Sequence, residues 1–367
     1  MLRKTVWGSW SIMITGLHIE NFKGISESKV DEIGMVNIFI GKNDSCKSTI
    51  MEAAYAVLKE SYSSGLSSVV SRRTHLPTGS RELWYGYKID NDISISVFFD
   101  GVRVATRVTY DKRHGQINST SSLFVKGGGA TRVFDRLTIY QSNFSLSTSS
   151  GASHLFRVAP GAKKENYAED ATFIDSSSRN DLQLIESILG QLKLRGLDLD
   201  FGNFLSQVFE TDPRWEFMPH PDFPDQYRVA LSKGNNRVFL NGFGDGIRFC
   251  MLLIGRSMLS ENTALFIEEI ENNQHPDSLA KMVPFLADTS KKNNLQLFIT
   301  THSPLVMRLF EEHFKTGGEK SKLRIYRVSR NERNGAVQCT ALTEEELAEW
   351  FTKVDQDLFG WKTEEKE

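Results

Sequence analysis

Eight residues, Gly41-Lys42-Asn43-Asp44-Ser45-Cys46-Lys47-Ser48, constrain the fold of this chain more than any other stretch. Before them Met35 to Ile40 is a short apolar run closed by Gly41, the mark of a buried strand. After them Ile50, Ala53, Ala54, Val57 and Leu58 recur at helical spacing, so Ser48 to Glu60 is expected to be an amphipathic helix. Strand, glycine-led loop and helix opening on Lys-Ser form the setting that a phosphate-binding loop requires. Backbone N–H groups and the helix N-terminus would wrap the β-phosphate, where the helix dipole favours negative charge. Lys47 would reach the β- and γ-phosphates, the Ser48 hydroxyl would coordinate Mg²⁺, and Asn43, Asp44, Ser45 and Thr49 complete the nucleotide-binding stretch. One position departs from G-x-x-x-x-G-K-[ST]: Cys46 stands where the second glycine is expected. A chance Gly/Lys/Ser loop is the competing reading, and the strand–loop–helix context weighs against it.

Two further motifs extend the same chemistry. Leu265-Phe266-Ile267-Glu268-Glu269 is an apolar strand ending in two carboxylates. At a strand tip beside a P-loop, Glu268 would hold the Mg²⁺ shell and Glu269 would orient or deprotonate the attacking water. Taken singly, the pair is also what an acidic turn after a core strand looks like. Thr300-Thr301-His302-Ser303-Pro304 follows the next expected strand and places His302 where it could sense a γ-phosphate. A histidine after a strand is ordinarily surface, so the weight rests on the order of the motifs.

Composition narrows the class without choosing within it. At ~150 residues per domain, 367 residues make roughly two domains. A net charge of -2 excludes a generally basic, nucleic-acid-coating protein, though not a local basic patch. Cys46, Cys250 and Cys339 are widely spaced with no C-x-x-C pair, which fits a reducing cytoplasm and argues against a disulfide scaffold or a zinc site. No apolar run approaches the ~18 residues of a membrane span. Residues 1–12 are expected to be a disordered lead; a signal peptide is the alternative, and Trp7-Gly8-Ser9-Trp10-Ser11 makes a poor apolar region for one.

Local patterns divide the remainder. Residues 13–150 are expected to form an N-terminal lobe with the P-loop and a β subdomain, 151–235 a mainly helical insertion, and 236–367 a C-terminal lobe. Ile93, Ile95 and Val97, then Val102, Val104 and Thr106, alternate around Asp100-Gly101, a hairpin signal. Strands are also expected at Ile14 to Phe22, Leu137 to Tyr140, Gln226 to Leu231, Arg237 to Leu240 and Leu323 to Val328. Helices are expected at about Gly246 to Met258, at Pro276 to Asp288, and at Thr343 to Val354 with Thr343 as N-cap.

The order Asn21-Phe22-Lys23-Gly24, P-loop, Gly244-Asp245-Gly246-Ile247-Arg248, Ile267 to Pro276, Thr301-His302-Ser303-Pro304 resembles the ABC-type ATPases of the OLD-like, AAA15-type class. That class includes ATPase subunits of bacterial anti-phage systems of the PARIS and retron-associated types. Ile267-Glu268-Glu269-Ile270-Glu271-Asn272-Asn273-Gln274-His275-Pro276 looks like the family's I-D-E-P-E-N-G-L-H-P with several substitutions. The resemblance implies an α/β fold: an ABC-type P-loop ATPase head with a mixed central sheet, an antiparallel β lobe near residues 83 to 141 and a helical insertion. It implies ATP and Mg²⁺ as cofactors and Glu269 and His302 as catalytic residues. It also implies Gly244, Asp245 and Gly246 as a signature that meets a partner subunit's γ-phosphate through backbone amides, where a serine is usual. Glu268 replaces the usual Walker B aspartate. Gln141 resembles the family's Q-loop glutamine. Lys23 matches a basic position that faces the nucleotide in relatives, an ordinary surface lysine being the other reading.

A signature separated from the P-loop within one chain implies a head-to-tail homodimer, or a higher homo-oligomer, burying two ATP molecules. The role implied first is a cytoplasmic defence ATPase that regulates a separately encoded effector, a TOPRIM or other nuclease, with nucleic acid as a possible further partner and no membrane. With the sequence ending soon after the helix at Trp350, the effector is expected to be separately encoded rather than fused. A repair or recombination ATPase of the short SMC-like or RecF-like type is the alternative. A transporter subunit and a non-hydrolysing scaffold are further readings. Finally, Cys46 lies at a helix start beside Lys47, and both features are expected to lower a thiol's pKa toward a reactive thiolate. A tolerated substitution without regulatory meaning is the other reading.

Overall fold

The structure is a computed structural model that describes residues 13–60, 66, 69, 80–113, 116–125, 137–140, 170–175, 177–209, 214–233 and 236–358. The N-terminal elements are β1 (Gly16–Phe22), β2 (Ile25–Val30), β3 (Val36–Ile40), α1 (Lys47–Glu60), β4 (Ile93–Phe99), β5 (Val102–Asp111), β6 (Gln116–Val125) and β7 (Leu137–Tyr140). Then follow β8 (Thr172–Ile174), α2 (Leu182–Leu194), α3 (Asp198–Phe209), β9 (Trp215–His220), β10 (Phe223–Lys233) and β11 (Asn236–Phe239). The C-terminal part holds α4 (Asp245–Leu259), β12 (Ala264–Ile267), α5 (Pro276–Lys292), β13 (Gln296–Thr300), α6 (Pro304–Thr316), β14 (Leu323–Arg330), β15 (Val337–Ala341) and α7 (Glu344–Leu358).

Among the described residues, twelve strands make one mixed sheet in the order β7-β6-β5-β4-β1-β2-β15-β14-β3-β13-β12-β8, and β11-β10-β9 make a small antiparallel sheet. The antiparallel lobe β4–β7 is continuous with the rest of the large sheet through β1, against which β4 pairs antiparallel. Hairpin β4–β5 turns at Asp100-Gly101, with Phe99 opposite Val102 and Gly101 at φ +71°, as the alternation there predicts. The segment 151–235 carries strands as well as helices: β8 joins the large sheet, and β9 and β10 belong to the small one. The expected lead at 1–12 and the boundary at 150–151 lie outside the described residues.

Five neighbouring strands, β14, β3, β13, β12 and β8, run parallel. A parallel strand covered on both faces is apolar at nearly every position, and alternate side chains enter different cores. Ile38, Leu265, Ile267, Leu297 and Ile299 face the core built with α2 to α6. Phe39, Phe266 and Phe298 face the opposite core, under α1. There Phe266 stacks on Phe298 at 4.7 Å between ring centroids and on Phe173 at 5.8 Å, while Phe39 stacks on Tyr326 at 5.2 Å. This packed row of rings holds the strands in register, so the loops leaving them start from fixed points. At the C-terminal end of the chain, α7 opens with a capping box: the Thr343 hydroxyl accepts from the Glu346 N–H, and the Glu346 carboxylate accepts from the Thr343 N–H.

Candidate functional site

The parallel strands deliver three loops to one edge. Ile267 pairs with Ile299, and Thr300 pairs with Phe39, so the strand ends at Ile267, Thr300 and Ile40 lie side by side. Crevices outside the carboxyl ends of parallel strands are where ligands bind in such sheets. The loop after β3 leads into α1, and the Cys46 carbonyl accepts the helix's first bond, from Ile50. Gly41 is required here: a Cβ on it would come within 2.3 Å of the Val328 carbonyl oxygen. Asp44 and Cys46 take positive φ, +63° and +71°. Cys46 therefore holds the left-handed backbone that glycine adopts freely, at a cost of roughly 1–2 kcal/mol.

A cavity of about 550 Å³ opens at this edge, lined by Lys23, Asn43, Asp44, Ser45, Cys46, Lys47, Ser48, Thr49, Glu269 and His302 among others. Residues widely separated in the chain thus share one wall. Gly41 lies at the base of the loop, and Glu268, Gly244, Asp245 and Gly246 are not part of this lining. Gln141 lies outside the described residues. The strand beside β12 at this edge is β8, followed by the buried Asp175, whose carboxylate accepts from the N–H and hydroxyl of Ser177 and of Ser178.

Lys47 is buried, and its ammonium donates to the carbonyls of Gly41 at 2.9 Å and Lys42 at 3.0 Å. Burial holds its pKa below the ordinary 10.5, while the carboxylates of Glu269 and Glu271 work to raise it. The charge is therefore already paired electrostatically with the acidic turn after β12. Glu269 takes φ +50°, its N–H donates to the Thr300 hydroxyl at 2.9 Å, and its carboxylate accepts from Asn272 at 2.6 Å. Glu268 is half-buried, and its N–H donates to the Ile174 carbonyl, which ties the turn to β8. Lys23, also in the lining, donates to Glu52 of α1 at 2.7 Å, and Glu52 is fully buried. Lys23 is thus both a cavity residue and the ion-pair partner of a core carboxylate.

Expectation fails at the cysteine. Burial pushes the Cys46 thiol above its ordinary 9.0. Arg330 opposes that, Asp44 and Glu52 add to it, and Lys47 is the smallest of these influences. Desolvation of the half-covered sulfur is the largest of these influences and outweighs the adjacent lysine. The thiol is not a pre-formed thiolate.

The Gly244-Asp245-Gly246 triplet is the N-terminus of α4, with Gly244 exposed at the N-cap and no side chain capping it. It rests on the turn after β12. The Asn273 amide donates to Asp245 at 3.3 Å, the Gln274 amide donates to the Gly246 carbonyl at 2.9 Å, and a Cβ on Gly246 would lie 2.4 Å from the Asn273 carbonyl oxygen.

Sequence reasoning missed one wall of the cavity and one clamp. The wall is Glu82, Leu83, Trp84, Gly86 and Tyr87. Trp84 is buried and bridges Phe22, the Lys23 N–H donates to the Leu83 carbonyl, and Tyr87 stands 67% exposed at φ +60°. These residues lie in short 3₁₀ turns without periodicity, so only their aromatic content could have marked them. The clamp is Glu271, whose carboxylate accepts from the Thr301 hydroxyl at 2.7 Å and the His302 N–H at 2.6 Å.

A P-loop, an acidic strand tip and a histidine loop on one edge of a mixed sheet, with an antiparallel lobe and a glycine-capped helix, make the α/β fold of an ABC-type ATPase head. The chain belongs to the AAA ATPase domain family AAA_15, whose model matches residues 13–195 and 162–307, and it is an ATPase of that family. It is 22% identical over 330 residues to an ATP/GTP phosphatase of Helicobacter pylori, covering 82% of this chain and 88% of that protein. Over 95 residues it is 36% identical to an uncharacterized protein of Methanocaldococcus jannaschii, covering 24% of this chain and 42% of that one. Among solved structures, an Smc head bound to the C-terminal winged-helix domain of ScpA matches with a TM-score of 0.50 at 14% identity, covering 90% of this chain and 98% of that chain. Among the described residues, no helix is long and apolar enough to cross a membrane.

Proposed function

We propose that this chain is an ATP-gated head that closes head-to-tail on a second copy and passes that closure to a separately encoded partner. The observation that carries the reading is the single cavity shared by Lys47, Ser48, Glu269 and His302, drawn from three loops on one sheet edge. The triphosphate lies along Asn43 to Thr49 with Lys47 on its terminal phosphates, and the base packs on the exposed ring of Tyr87. The Ser48 hydroxyl in the cavity is a hard oxygen donor that suits Mg²⁺, which characteristically keeps several waters beside substrate phosphates; the Glu268 carboxylate, outside the lining, would reach the cation through such a water. The cation would neutralise charge developing on the γ-phosphate. Glu269 takes a proton from the attacking water, and His302 contacts the γ-phosphate. The glycine-capped α4 N-terminus of one subunit supplies backbone N–H groups to the other subunit's nucleotide.

For the cellular role, the order of motifs supports a cytoplasmic regulator of an effector nuclease in anti-phage defence. The second reading is a short SMC-like or RecF-like repair ATPase; on its side is the head architecture shared with an Smc head over 90% of this chain, a fold-level analogy. Sedimentation velocity of the Glu269→Gln variant with and without Mg-ATP tests the shared core: a nucleotide-dependent dimer is expected, and a monomer at saturating Mg-ATP overturns the sandwich.

A further inference from the structure

The Glu271 carboxylate spans two elements that the fold brings together from 30 residues apart. One oxygen accepts from the Thr301 hydroxyl at 2.7 Å and the other from the His302 backbone N–H at 2.6 Å. Thr301 is fully buried, and its hydroxyl also accepts from the Ser303 N–H at 3.0 Å, so the start of the histidine loop is held by this carboxylate together with the Thr301 N–H bond to the Phe39 carbonyl. The same turn is held at its far end by the signature-like helix, through Asn273 to Asp245 and Gln274 to Gly246. Between these attachments its path is set by the bonds Asn272 N–H to Glu269 carbonyl, 2.9 Å, and Gln274 N–H to Glu271 carbonyl, 3.0 Å. A rigid turn therefore joins the N-terminus of α4 to the His302 backbone.

We propose that Glu271 is a positioning residue for ATP hydrolysis: its two-point clamp sets His302 against the γ-phosphate end of the cavity and ties that setting to the α4 N-terminus. This rests on the nucleotide placement proposed above. Charge-assisted hydrogen bonds are roughly twice as strong as neutral ones, so a carboxylate accepting two of them is a firm hold on a loop. The near-isosteric Glu271→Gln keeps an acceptor oxygen for the His302 N–H and offers its NH₂ to the Thr301 hydroxyl, which can turn to accept it, so both contacts lose their charge assistance without a change of shape.

The test is a double-mutant cycle in Mg-ATP hydrolysis with parent, Glu271→Gln, His302→Ala and the double variant, each checked for an unchanged melting curve. Expected is a roughly tenfold fall in kcat for Glu271→Gln without a rise in KM, and no further loss when the change is added to His302→Ala. Thr301→Val should reproduce the fall and Thr301→Ser should not, which keeps the idea testable if Glu271→Gln fails to fold. An unchanged kcat in Glu271→Gln or Thr301→Val, or the same fold-loss in the presence and absence of His302, overturns the proposal. A parent that binds no nucleotide would instead sink the nucleotide placement beneath it, so the two failures are distinguishable.

Discussion

The sulfur of Cys46 fills the space that a side chain at residue 24 would need: a Cβ on Gly24 would lie 2.9 Å from Sγ. Gly24 does not itself adopt a left-handed φ, so the sulfur is what excludes a methyl group there. The unusual loop residue and the glycine after Lys23 are a matched pair across the cavity.

Gly24→Ala should therefore destabilise the protein by about 1–3 kcal/mol through overpacking. Cys46→Gly should relieve roughly 1–2 kcal/mol of left-handed strain at φ +71° and leave nucleotide binding intact or tighter. The double variant should recover most of the loss. Urea midpoints of the four proteins measure the coupling, and strictly additive effects would show that the sulfur is not the obstacle.

Lys47→Ala removes the ammonium that bonds the Gly41 and Lys42 carbonyls and faces the Glu269 and Glu271 charges. Charge-assisted bonds are worth about 1.5–3 kcal/mol, so ATP affinity should drop roughly 10- to 100-fold and hydrolysis should vanish. Calorimetric titration with ATP decides it; parental affinity and turnover would remove the P-loop assignment.

Glu269→Gln preserves the acceptor for Asn272 and the Thr300 contact, which uses the backbone N–H. The amide cannot take a proton from water, so kcat should fall by about 10²-fold or more while binding persists. Light scattering should then find an ATP-stabilised dimer that the parent forms only transiently. A monomeric variant with full turnover would contradict both the role of the residue and the sandwich.

The thiols give a pH signature. Cys46 lies above 9.0 through burial, and burial pushes Cys339 up to about 12. An unfolded thiol ionises first as pH climbs past about 9, so the native state then binds more protons than the unfolded one. The slope of stability against pH is therefore negative between about 9 and 12. Urea midpoints should decline over that window, and Cys339→Ala should flatten the decline. At pH 8, Cys46 should alkylate more slowly than a free small-molecule thiol, as read by mass spectrometry. Faster alkylation would restore the activated thiolate that the structure argues against.

Much of the site was legible because its signals are local. The apolar run to Ile40 and the Lys-Ser helix start mark the P-loop, the apolar strand to Ile267 marks the acidic tip, and Thr343 with Glu346 marks a capping box. Each depends on residues within one turn or one strand, where spacing and chemistry act together. Partnership across the fold depends on which distant segments share a core, and no local period records that. Glu271 reads as one acid among several until β12 and β13 pair in register and bring it to Thr301 and His302. Glu52 reads as a polar interruption of α1 until β1 places Lys23 against it. Strand β8 has three residues, too few for a periodic signal, yet it borders the acidic tip. The expected direction for the Cys46 thiol reversed for the same reason: helix start and neighbouring lysine are written in the sequence, whereas the burial that raises the pKa is a property of the packed chain.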